Sequence, residues 1–189
     1  RIRKLPSLGR GTGGWLAPRL QGTSRGEEDM TTARDVFAET NPAFCCVVFA
    51  QFCLAYQQVQ LAERPPTAAL IYLVLPIAIS EDLAPTFEGC NKDTGLAVWL
   101  SRNPKVVADL AKKVNLTLEI TTAAVRFGCV TGTLCLTGDG DVESALKKIP
   151  ASVTGGVAGA ALKRARLFGA WAAAMGSPRA VLEALGVSV

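Results

Sequence analysis

Residues 41–60 read NPAFCCVVFAQFCLAYQQVQ, and the fold turns on this stretch. Asn41 carries a short side chain able to accept from the open N–H groups of a helix start. Pro42, at the first helical position, gives up a donor that would be unpaired there anyway. From Ala43 to Tyr56 the residues are apolar on nearly every face, which leaves no side for water. The stretch predicts a central helix of about five turns, covered by neighbours all round. Arg64-Pro65-Pro66 ends it.

Outward from this helix, Thr67 to Ile79 forms a second buried segment. Its length and Ala/Leu content favour helix, while Ile71, Tyr72 and Val74 keep a strand open. Pro76 would kink or end a helix there. Ser80 to Thr94, with Pro85 and Gly89, is a polar connection. Gly95–Arg102 then sets Leu96, Trp99 and Leu100 at helical spacing. Asn103-Pro104 predicts the cap of a further helix, in which Val106, Val107, Leu110 and Val114 share a face. A third helix, from about Leu118 to Val130, should end near Gly132. Leu134 and Leu136 alternate with Cys135 and Thr137 before the turn residues Gly138 to Asp141, the pattern of a small β-hairpin. The last long helix is expected from about Val157 to Met175, stopped by Gly176. Ser177-Pro178 starts a short one that closes at Gly186. The expected fold is mainly α: a helical domain over 30–189 with a winged-helix-like segment of three short helices plus a small β-hairpin, from Gly95 to about Leu146.

Composition narrows the function classes. The chain has 189 residues, 49% apolar and 19% charged, with a mean hydropathy of +0.28. An average domain carries about 25% charged residues, so this one is oily. No run reaches the roughly 18–20 apolar residues of a membrane span: Ala68 to Ile79 is too short and holds Pro76, and Gln51 interrupts Ala43–Tyr56. The surplus points to a core plus a partner interface. The net charge of +4 is concentrated in residues 1–29, which hold six bases and three acids and leave 14 bases and 13 acids to the rest. This Gly-, Arg- and Pro-rich segment lacks hydrophobic period and is expected to be a disordered tail or a non-native extension, with Met30 as the natural start. A nearly neutral body gives no electrostatic footprint for nucleic acid. No signal-peptide core is present, so the six cysteines are expected as thiols in the cytoplasm.

Catalytic chemistry has little to draw on. There is no histidine, which removes the commonest general base and metal ligand. No carboxylate pair and no C-x-x-C spacing stands out, so neither catalysis, cofactor nor metal is expected. Gly138-Asp139-Gly140-Asp141 lacks the closing Glu of a calcium loop, and Gly155-Gly156-x-x-Gly159 follows no clear strand. A winged-helix DNA reader would place its third helix in the major groove. Here that helix offers Arg126 beside Glu119, and the hairpin tip offers Asp139 and Asp141, the wrong sign for phosphate. The most informative surface is Lys163, Arg164 and Arg166 beside Leu167 and Trp171. It reads as a solvated amphipathic stripe, or as a basic and aromatic patch for an acidic partner.

Several ordered blocks carry a family resemblance. Asn41 to Cys45 form an opening motif and Leu73-Val74-Leu75-Pro76 an apolar segment. Leu96 with Trp99-Leu100 and Asn103-Pro104 follow. Arg166 to Trp171, Gly176-Ser177 and Leu185-Gly186-Val187 close the series. In this order they resemble the middle component of bacterial three-component ABC systems. The chain departs from the pattern at Ser80, where the family often has His, and at Ala170, where the closing block has Arg. The resemblance implies a non-catalytic adaptor that couples an ABC-type ATPase to an effector encoded nearby, in systems that defend bacteria against phage. With Asn41 and Trp99 from two of the blocks, the candidate partner-binding set is Lys163, Arg164, Arg166, Trp171, Asn41 and Trp99. The alternative is a winged-helix transcription regulator. Self-association stays open.

Overall fold

Pro42–Gln57 form helix α1, started as the sequence dictates: the Asn41 side chain accepts from the backbone N–H of Ala43 at 2.9 Å. In this computed structural model the described residues are 41–59, 64–149 and 155–187. Residues 1–40 lie outside them, and with them the expectations for residues 1–29 and for Met30. Cys45, Cys46, Val48, Phe49, Phe52 and Cys53 on α1 are buried. Each large side chain taken from water stabilises the fold by about 1.5–3 kcal/mol.

Ala68–Ala78 form α2, which settles the open choice between helix and strand. Pro76 sits in its last turn. The missing N–H and the bulk of the ring deprive the Tyr72 carbonyl of its helical donor, and the helix ends two residues later. A 3-10 turn, Ala84–Phe87, and helix α3, Leu96–Arg102, follow.

The next helix, α4, runs unbroken over 27 residues from Lys105 to Thr131. Two short helices were expected here. The residues between them, Asn115 to Thr117, include neither Gly nor Pro, and Asn or Thr costs a helix only about 0.7 kcal/mol at most. The Thr117 hydroxyl back-bonds to the Lys113 carbonyl at 3.1 Å and keeps the helical path. A helix-turn-helix needs a turn where α4 has none, so the winged-helix-like segment does not form and there is no separate recognition helix. Asn103 also does not cap α4: its amide donates back to the Trp99 carbonyl at 2.9 Å and closes α3.

Helix α4 ends where expected. Gly132 takes a left-handed φ of 69°, and the N–H of Thr133 returns to the Gly128 carbonyl at 2.9 Å, a Schellman stop. The hairpin also forms as expected. Strand β1, Leu134–Leu136, pairs antiparallel with β2, Val142–Ser144, with Cys135 opposite Glu143. It lies against the start of α2, where Val142 N–H donates to Pro66 O and Ala68 N–H to Gly140 O. Asp141, expected at an outward tip, is therefore buried.

Helix α5, Gly156–Ala174, and helix α6, Pro178–Ala184, complete the described chain. Helix α1 packs chiefly on α5 and α4, and α2 bridges the same pair. At Gly169 the two backbones come so close that a β-carbon would meet the Phe52 carbonyl and lie 3.1 Å from the Ala55 methyl. Among the described residues, the molecule is mainly helical with one small hairpin, and no helix is long and apolar enough to cross a membrane.

A basic cleft as candidate partner-binding site

The final long helix lays its basic residues beside the 80–94 connection. Lys163 and Arg164 line an open cleft of about 500 Å³, closed on the other side by Phe87, Glu88 and Cys90. Lys163 is exposed and offers its ammonium to solvent, as does the guanidinium of exposed Arg166 one turn along.

Arg164 has a different task. It is half-buried, and its Nε donates to the carbonyl of Ala78, the last residue of α2. Helix C-termini leave carbonyls without partners and carry partial negative charge, so a guanidinium is well placed there. Burial holds the Arg164 pKa below its ordinary value, while Glu81 nearby acts in the opposite direction. The cation is thus both a wall of the cleft and the terminator of a core helix.

Trp99 and Trp171 are not on this surface. Both are fully buried, where they form an aromatic cluster with Phe87. Phe87 stacks on Trp171 with centroids 5.7 Å apart, and Trp99 meets Trp171 at 5.8 Å. A buried indole needs an acceptor for its N–H. Trp99 Nε1 donates to Thr86 O at 3.1 Å, and Trp171 Nε1 to Asn91 O at 2.9 Å. Both acceptors belong to the connection that forms the far wall of the cleft, so the indoles fix that wall to the helices. Asn41 lies on α1 as its cap and does not join the cleft. Of the six candidates, Lys163 and Arg164 line the cleft, Arg166 is exposed on the same helix, and Trp99 and Trp171 are buried against Phe87 of its far wall.

The sequence reading missed Phe87, Glu88 and Cys90 as cleft residues, since nothing local marks a polar connection as a wall. Burial raises the Cys46 pKa to about 11 and pushes Cys53 higher still, which keeps both protonated. Among the described residues, no group of three or more His, Cys, Asp or Glu is placed to hold a metal.

Neither the curated proteins nor the solved structures include a match to this chain. The family model of the ABC-three component (ABC-3C) system Middle Component 3 does match, over residues 34–189, and the chain belongs to that family.

Proposed function

We propose that the chain is a non-catalytic adaptor, held in the cytoplasm, that couples an ABC-type ATPase to an effector of a bacterial defence system through the basic cleft on α5. Family membership carries this reading: a middle component of an ABC-3C system works with the other components of that system. The cleft adds a site. Lys163 is an exposed cation in the cleft beside Phe87 and Leu167, and Arg166 is a second exposed cation on the same helix, a combination suited to an acidic segment with an apolar anchor. Transcription regulation has no such support, because α4 is continuous where a reading helix would have to start.

Co-expression with the ATPase and effector encoded beside the chain tests the proposal. The three should co-purify at moderate salt, and K163E/R166E should abolish recovery while leaving the helical circular-dichroism signal unchanged. Arg164 is left intact because reversing it would open α2. Recovery of the full complex by the double variant would remove the cleft as the contact, and recovery of the chain alone in every case would remove the adaptor role.

A further inference from the structure

The exposed side of α4 carries an apolar stripe that the described residues leave largely open, with Ile120 half-buried against the core. Leu116, Ile120, Ala123, Phe127 and Val130 succeed one another in steps of four, three, four and three, the spacing of a coiled-coil seam. Leu116 is 74% exposed, Phe127 40% and Val130 88%. Beside the first half of the stripe lies an open groove of about 590 Å³, whose walls include Lys113, Leu116, Thr117 and Ile120, with Ile79 and Ser80 from the end of α2. Those four α4 residues have the relation i, i+3, i+4, i+7 that makes the hole for one knob of a facing helix. The Lys113 ammonium is drawn aside by Asp82 at 2.7 Å and Ser80 at 3.3 Å, so its alkyl stem is what lines the groove.

Charge selects the occupant. Glu119 and Arg126 stand one heptad apart on the same flank of the stripe, both exposed, and neither has an ion-pair partner among the described residues. In an antiparallel two-fold pairing, equivalent flank positions meet across the seam. The register that sets Ile120 against Ala123 of a second copy brings Glu119 of each chain opposite Arg126 of the other. The same register seats Phe127 of one copy over the Lys113, Leu116, Thr117 and Ile120 hole of the other. The opposite flank, with Ala124 fully buried, turns into the chain's own core, so the pairing rests on the stripe and on the Glu119 and Arg126 flank. The stripe complements itself in shape and in charge, which is the requirement of an isologous interface.

We propose that α4 is a dimerisation surface for a second copy of this chain, packed antiparallel about the Thr121–Thr122 position. This site is separate from the basic cleft and does not depend on the adaptor role. Four turns of helix make a short interface, so the dimer is expected to be concentration-dependent, with a dissociation constant on the order of micromolar.

Sedimentation equilibrium of the full chain provides the test. E119R and R126E should each weaken the dimer by about tenfold or more, because each sets like charges opposite one another twice. An equimolar mixture of the two variants should recover association as a mixed dimer, since one chain then presents only arginines and the other only glutamates. L116K, on the same exposed stripe, should abolish the dimer independently, and far-UV circular dichroism shows that each variant is folded. A chain that stays monomeric at millimolar concentration overturns the proposal. So does a dimer that ignores both reversals, or a mixture that fails to recover. Because K163E/R166E leaves α4 untouched, loss of the complex there and loss of the dimer here are distinguishable.

Discussion

Thr121 is buried on α4 with its hydroxyl unpaired among the described residues. Thr117, Thr122 and Thr131 on the same helix return their hydroxyls to carbonyls one turn back, and Thr121 does not. A buried hydroxyl without a partner costs about 1–3 kcal/mol. Thr121→Val keeps the branched shape and removes the unmet polar atom, so it should raise stability by about 1 kcal/mol, read as a higher urea midpoint at unchanged slope. The two tryptophans show how a residue-scale inference goes astray. Aromatic side chains are enriched at interface centres and in cores for the same reason, the area they remove from water. Composition alone therefore does not tell an outward Trp171 from an inward one. Arg164 was legible as a cation but not as a helix terminator, because the carbonyl it holds lies 86 residues away in the chain.

At the scale of elements, the contact between α1 and α5 depends on one absent side chain. Gly169→Ala would drive a methyl into the Phe52 carbonyl, and overpacking of this kind costs about 1–3 kcal/mol. Thermal unfolding of G169A should shift down accordingly, while Ala170→Gly on the neighbouring half-buried position should cost no more than helix propensity, about 1 kcal/mol. Element boundaries were legible wherever a mechanism marked them. Asn41-Pro42 starts α1, Gly132 stops α4, Gly176 ends α5, and the Gly-Asp turn closes the hairpin. The break once assumed within α4 had no such marker, only a drift in hydrophobic period around Asn115. That drift is real: past Asn115 the buried face continues in small or polar residues, Thr121, Ala124 and Gly128, while the larger apolar residues Leu116, Phe127 and Val130 stand on the exposed side. Splitting the helix hid the seam, since Leu116 fell between the two halves.

For the whole molecule, burial of thiols ties stability to alkali. Cys46 holds its proton to about pH 11 in the folded chain, against an ordinary value of 9.0. A raised folded pKa means that the native state binds more protons than the unfolded state above pH 9. The stabilisation is therefore intact below pH 9 and is lost as pH rises toward 11. Cys46 alone contributes about 2–3 kcal/mol of that fall by pH 11, and Cys53 adds to it in the same direction. Denaturant titrations at pH 8, 9.5 and 11 should show the midpoint decline, and C46A should flatten the curve. Thiol labelling at pH 8 should reach exposed Cys129 and Cys135 at once and Cys46 and Cys53 only on unfolding.

The indoles of Trp99 and Trp171, 5.8 Å apart and each tied to the 80–94 connection, give the chain a built-in optical gauge. Two chromophores this close share their excitation, and their near-ultraviolet signal depends on the angle between them. A displacement of the far wall would strain both N–H bonds and is expected to change the angle between the rings. A partner taken up in the proposed cleft is therefore expected to change the chain's own near-ultraviolet signal, without a label.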